Sequence, residues 1–215
     1  MMLTRRQLLA GSGAGLFVGR RLEAAPEFWD TKDPKDWTTE EIDRLLNRSP
    51  WARQVTAASA SGALGGVPRP GVGMGGGVGI GMGRRRGNPT QRSASGKATV
   101  RWESAQPIRD AAKTPLPDGF KDHYAIGVYG LAARGDLDDL KQFATLEPKG
   151  RELAQAGIAQ TQPGSPPGIL FGFARDLLDL SRDDREVTFT SQFGQLVVKV
   201  KFNLQEMTYR GRLAL

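Results

Sequence analysis

The sequence predicts an α+β domain: a mostly antiparallel or mixed sheet, short helices packed on one of its faces, and a disordered Gly-rich loop interrupting it. Three observations carry that expectation. First, Glu186–Phe193 and Leu196–Asn203 flank Gly194-Gln195, and glycine opening a two-residue loop suits a type II′ hairpin turn. That loop pairs Phe193 with Leu196, Ser191 with Val198, Phe189 with Val200 and Val187 with Phe202, placing the large apolar groups on one face. Thr188 with Lys201 and Thr190 with Lys199 fall on the other, and a one-residue slip would invert both sets. Second, residues 98–103 alternate Ala98, Val100 and Trp102 with Thr99, Arg101 and Glu103, the period of a half-buried strand. Third, Thr38 stands three residues before Glu41, a capping-box spacing that opens a short helix with Ile42, Leu45 and Leu46 on one stripe.

Taken in order, residues 1–25 read as an export signal rather than as part of the fold. Arg5-Arg6 precedes a short, Gly-softened apolar run over residues 8–18 that ends near Ala24-Ala25-Pro26, which resembles a twin-arginine signal. The protein is therefore expected outside the inner membrane, periplasmic or secreted, or anchored if the signal is not cleaved. No transmembrane helix is expected in the mature chain, because the run is too short to span a bilayer. The absence of cysteine fits a protein exported folded and excludes thiol nucleophiles and thiolate metal sites. The formal charge of +7 overstates the basicity of what remains: residues 1–25 hold four arginines against Glu23, so their removal leaves +4.

Residues 26–61 give the first helix and strand of the core. Pro50 follows the helix, and residues 51–58 read as a strand. Phe28, Trp29, Trp37 and Trp51 could form a stacking surface for sugars or peptides, but large side chains are also what a small helix needs to dock on a sheet, and that plainer reading is preferred. Residues 62–96 hold 13 of the chain's 28 glycines and no acidic or aromatic residue. Such a composition buries too little apolar surface to offset ordering, so the segment is expected to be disordered. Its Gly-X-Gly repeats lack the strand and helix that frame a nucleotide site. Arg84, Arg85 and Arg86 within it are candidates for phosphate, acidic polysaccharide or anionic lipid, against the plainer reading of a solvated insert.

Residues 97–215 form the main part of the domain. The strand at 98–103 is expected to pair with 51–58, making the glycine segment an oversized hairpin insert, since loop closure entropy grows slowly with length. Ser104 and Pro107 should open a helix facing Ile108, Ala111 and Ala112 inward. Residues 123–131 are apolar on both faces, as in a central strand. Asp136 should cap a helix with Leu137, Leu140 and Ala144 inward. Residues 151–160 read as either strand or loop. Ile169, Phe171 and Phe173 alternate as a strand, residues 176–180 suggest a helical turn, and residues 207–215 a last strand through Met207, Tyr209 and Leu213.

Chemistry-bearing residues are sparse. His123 is the single histidine and has no serine or carboxylate at a recognisable partner spacing. Asp136, Asp138 and Asp139 suit a helix N-terminus better than a cation site. Asp179, Asp183, Asp184 and Glu186 are the better cation candidate, although turn and cap chemistry accounts for them. No P-loop, nucleophile elbow, zincin or Rossmann motif occurs, and no cofactor or nucleic acid is expected.

The segments Trp37-Thr38-Thr39-Glu40-Glu41-Ile42, Ser49-Pro50-Trp51-Ala52, Val100-Arg101-Trp102-Glu103-Ser104-Ala105 and Met207-Thr208-Tyr209-Arg210-Gly211 resemble a family of uncharacterised exported bacterial proteins with a similarly placed Gly-rich insert. The resemblance implies no activity and carries over no catalytic residues. The expectation is a non-enzymatic binding or structural module whose partner is a protein or cell-envelope polymer. An exported hydrolase or cofactor protein with an unrecognised site, or an anionic-surface binder through Arg84–Arg86, are the alternatives.

Overall fold

The computed structural model describes residues 26–59, 96–132 and 136–215. Its sheet is built from β1 (Ala52–Ser59), β2 (Gly96–Trp102), β3 (His123–Tyr129), β4 (Thr145–Pro148), β5 (Ala154–Gln155), β6 (Ile158–Gln162), β7 (Gly168–Ala174), β8 (Glu186–Phe193) and β9 (Leu196–Asn203). The order is β5-β4-β8-β9-β1-β2-β3-β7-β6, and every pairing is antiparallel. The fold is thus α+β leaning mainly β. The β8–β9 hairpin has the register that its alternation dictates, from Phe193 opposite Leu196 to Val187 opposite Phe202. Gly194 supplies a φ of +60° with no positive φ at Gln195, as a type II′ turn requires. β1 and β2 pair from Ala52 opposite Arg101 to Ala57 opposite Gly96. Most of the expected Gly-rich insert, and the export signal, lie outside the described residues; Gly96 itself opens β2.

The sheet curls until its edges meet. β5 lies on one edge and β6 on the other, yet only Ala156 and Gly157 separate them in the chain. The Ala156 N–H donates to Ala144 O and the Gly157 N–H to Gly172 O, both at 2.9 Å. One short stretch of chain therefore links both edges. Closure also brings β7 against β8, five places away in the strand order: Phe171 meets Phe189 and Phe193 at ring separations of 6.0 and 6.2 Å. The enclosed face carries the core, with Trp102, Ile126, Phe171, Phe189 and Phe202 fully buried.

This curling corrects the expectation of helices on one face of the sheet, because the inner face is covered by the sheet itself. Four short helices are present among the described residues: α1 (Phe28–Thr31), α2 (Thr39–Asn47), α3 (Gln106–Ala112) and α4 (Leu137–Gln142). α2 leads into the start of β1 and α3 leaves the end of its antiparallel neighbour β2, so both close the same end of the curled sheet. The Thr38–Glu41 capping box forms as the spacing implies and is worth about 1 kcal/mol. Trp29, Trp37 and Trp51 are buried beneath α2, Trp29 edge-on to Trp51 at 5.6 Å. The aromatic segment is thus an anchor, and the Trp51 indole donates to Ala214 O at 2.8 Å. α4, capped by Asp136, sits at the seam against β6 and β8.

Three other expectations need correction, and one strand was unforeseen. Ser104 does not cap α3: its Oγ accepts from the Ala125 N–H at 3.1 Å, and Ala105 holds the cap position without a side-chain bond. Residues 207–215 add no strand to the main sheet but form a separate hairpin of β10 (Thr208–Tyr209) and β11 (Arg212–Leu213). Residues 176–180 form no helix; a turn at 175–177 is followed by irregular chain. β4 was not foreseen, because four residues ending in proline carry little strand signal.

The outer face of β3 is buried as well, as its two-sided apolar pattern implies. Phe120, from a 3-10 turn at Asp118–Phe120, covers Ala125 and Leu170 with Leu116 and Ile158 around it.

Candidate functional site

The closed end of the barrel gathers four arginines from three parts of the chain. Arg109 projects from α3, Arg175 follows β7, and Arg210 and Arg212 belong to the β10–β11 hairpin. They line a cleft of about 620 Å³ with Tyr124, Tyr209 and residues 213–215. No aspartate or glutamate lines it, and none of the four arginines is in an ion pair with a side chain among the described residues.

Aromatic rings and single hydrogen bonds hold them instead. The Arg175 guanidinium stacks 4.3 Å from the Tyr124 ring centroid and donates to Leu215 O at 2.9 Å. Arg210 lies 5.2 Å from the Tyr209 centroid, and its backbone N–H donates to Asp30 Oδ1 at 2.7 Å. Arg109 donates to Gln106 Oε1. The Tyr209 hydroxyl donates to Asp110 Oδ2 at 3.0 Å; burial first, then that carboxylate, pushes it up to about 12, so it remains a neutral donor. Arg210 and Gly211 have φ of +49° and +79°, the type I′ pair that closes a two-residue hairpin. Asparagine or glycine usually fills the first of these positions, and an arginine there costs roughly 1–2 kcal/mol.

A second cavity of about 730 Å³ adjoins the first and shares Gln106, Arg109, Arg175 and Leu215 with it. It adds Lys113, Lys121 and His123, with Asp110 as the one acidic side chain in its lining. Lys121 is paired with Asp118 at 2.9 Å. Lys113 ends α3 in left-handed backbone, φ +53°. His123 thus lies in a cleft, but its Nδ1 is buried without a hydrogen-bond partner, and Ser104 is occupied by Ala125. No nucleophile and base are brought together here.

Four of the acidic residues singled out in the sequence, Asp136, Asp138, Asp184 and Glu186, are spent on structure. Asp136 caps α4 and Asp138 pairs with Lys141 at 2.9 Å. Asp184 forms a capping box with Ser181 and accepts from Arg151 at 2.8 Å. Burial works to raise its carboxyl, but the Ser181 N–H and Arg151 outweigh that and hold it below the usual range. Glu186 pairs with Lys201. Among the described residues no group of three or more His, Asp or Glu is placed to hold a metal ion. Arg5, Arg6 and Arg84–Arg86 lie outside the described residues.

A second polar cluster sits on the outer face of β2 and β3. Arg101 stacks 4.4 Å from the Tyr129 centroid and approaches Glu103 Oε1 at 3.3 Å, while the Tyr129 hydroxyl donates to the same oxygen at 2.7 Å. Glu103 is 8 % exposed, while Tyr129 also lines a cavity of about 390 Å³ with Lys97 and Thr99.

Sequence reading missed Arg109, Arg175, Arg210 and Arg212 because no linear spacing joins them. The only local signal was arginine beside glycine at a tight turn in Tyr209-Arg210-Gly211-Arg212. Comparison with protein-family models, with curated proteins and with solved structures finds no match to the chain.

Proposed function

We propose that this chain is an exported, non-enzymatic binding module that takes an anionic ligand into the arginine-lined cleft. The observation that carries the reading is the convergence of Arg109, Arg175, Arg210 and Arg212 on one cleft whose lining holds no aspartate or glutamate. Cations held close together repel one another, and a bound anion relieves that repulsion. Guanidinium groups suit the task, since each presents a planar fork that matches carboxylate or phosphate. The arginine at position 210 sits where the backbone favours another residue, and such strain is retained more readily at functional positions than elsewhere.

The exported address is supported by Arg5-Arg6 and the short apolar run after it, and it makes a cell-envelope polymer a natural partner. Arg84–Arg86 lie outside the described residues; the described residues on either side, Ser59 and Gly96, lie at the barrel end opposite the cleft.

Calorimetric titration of the full-length chain with inorganic phosphate, citrate and galacturonate at low salt tests the reading. At least one should bind and weaken as NaCl is added. The double variant Arg109→Ala/Arg212→Ala should lose about tenfold or more in affinity, as loss of charge-assisted hydrogen bonds implies. Absence of binding by all three, or a double variant that binds like the parent, would overturn it.

A further inference from the structure

We infer that the two cavities act as one groove and that its ligand is an acidic oligosaccharide long enough to occupy both, an inference that rests on the anion-binding reading above. The cavities share Arg109 and Arg175 as a common wall, so a chain crossing from one to the other passes two cations at the crossing. Beyond it each side offers further cations: Arg210 and Arg212 in the first, Lys113 and Lys121 in the second. Positive charge therefore repeats along the groove instead of focusing on one point, which suits a ligand whose negative charges repeat along its length.

Volume points the same way. At about 620 and 730 Å³, each cavity falls within the roughly 300–1,000 Å³ of an ordinary ligand pocket, and a single small anion would leave one of them empty. Both sides also keep a cation on left-handed backbone, Arg210 at φ +49° and Lys113 at φ +53°, where glycine or asparagine is less strained. Asp110 in the lining, and Asp118 beside Lys121, temper the second side. Asp110 accepts from Tyr209 and Gln106, and Asp118 pairs with Lys121, leaving Lys113 as the cation there without a side-chain partner. A carboxylated sugar chain is favoured over nucleic acid by the export signal and by the absence of any exposed aromatic ring in the groove, whose tyrosines are buried beneath Arg175 and Arg210.

The test is calorimetric titration of the full-length chain with oligogalacturonates of increasing length, beside a deoxyoligonucleotide matched in charge. Affinity should rise by about tenfold or more from the monomer to a chain that spans both cavities, as tethered second contacts require. Lys113→Gly, which suits its left-handed position, should cut that length gain to about threefold or less, and Arg212→Ala should weaken monomer and oligomer alike. Equal affinity at every length would overturn the inference while leaving the single-cleft reading intact. Tighter binding of the oligonucleotide would overturn the sugar assignment, and no binding at any length would sink both.

Discussion

The Tyr129 hydroxyl donates to Glu103 Oε1 across 2.7 Å, tying the end of β3 to the residue that follows β2. The bond is made on the outer face of the sheet, where both side chains are nevertheless buried, at 9 % and 8 % exposure. Tyr129→Phe removes the donor and leaves the carboxyl with only the poorly aligned Arg101 guanidinium, whose Nε makes no hydrogen bond. A buried acceptor stripped of its partner costs about 1–3 kcal/mol. Urea denaturation should show that loss, and a change under about 0.5 kcal/mol, a typical surface effect, would mean that Glu103 is satisfied otherwise.

The same carboxyl makes stability depend on pH. Burial raises the Glu103 pKa above 4.5, against the opposing pull of Arg101 and of the Tyr129 hydrogen bond. With the folded pKa above the unfolded one, the folded state binds the proton more tightly. The contribution is fully present below about pH 4.5 and is lost as pH rises through the folded value. Glu103→Gln cannot titrate, so the parent should lose stability relative to this variant between pH 4 and neutrality. Urea midpoints of the two proteins across that range decide it. A parent that gains on the variant would show that the Arg101 charge, not burial, dominates the site.

Two glycines separate space from backbone conformation. A Cβ on Gly168 would stand 2.4 Å from Tyr129 Cδ1, whereas one on Gly194 would meet nothing within 4 Å but would sit at φ +60°. Gly168→Ala must push the Tyr129 ring off its seat and disturb its bond to Glu103, so a loss of about 1–3 kcal/mol is expected. Gly194→Ala meets only the left-handed penalty, about 1–2 kcal/mol, and its cost should be the same in a Tyr129→Phe background. Gly168→Ala should not add fully to Tyr129→Phe, since the two act through one ring. Additivity of that pair in chemical denaturation would contradict the shared seat.

The hairpin at β8–β9 was legible because three signals agree there: a glycine that fixes the turn, strict alternation, and threonine and lysine facing out. β1 and β2 could be matched across residues 60–95 for the same reason, each having its own apolar period. Closure of the barrel was not legible. β5 and β6 are short and mostly half-exposed, and their role comes from which edges they reach, a property of the whole sheet's curl. The arginine cleft was hidden by the same cause. Arg109 and Arg212 are over a hundred positions apart, and they meet only because α3 and the β10–β11 hairpin leave the sheet at one end. Local chemistry such as the Thr38–Glu41 box and the Asp136 cap is written within four residues and could be read directly.

Lys113 offers a direct opposition between stability and binding. It closes α3 at φ +53°, and its backbone N–H donates to Arg109 O, a position where glycine is the favoured residue. Its ammonium group has no side-chain partner among the described residues, so nothing in the folded chain repays the strained backbone. Lys113→Gly should therefore raise stability, by about 0.5–1 kcal/mol once the added freedom of the unfolded chain is allowed for. Neighbouring Arg109 would also lose a like charge beside it, which acts in the same direction. The variant's thermal midpoint should rise while its affinity for a long acidic oligosaccharide falls. If the midpoint drops instead, the lysine stem is packing against α3 or the 114–116 loop, and its left-handed placement is explained by structure alone.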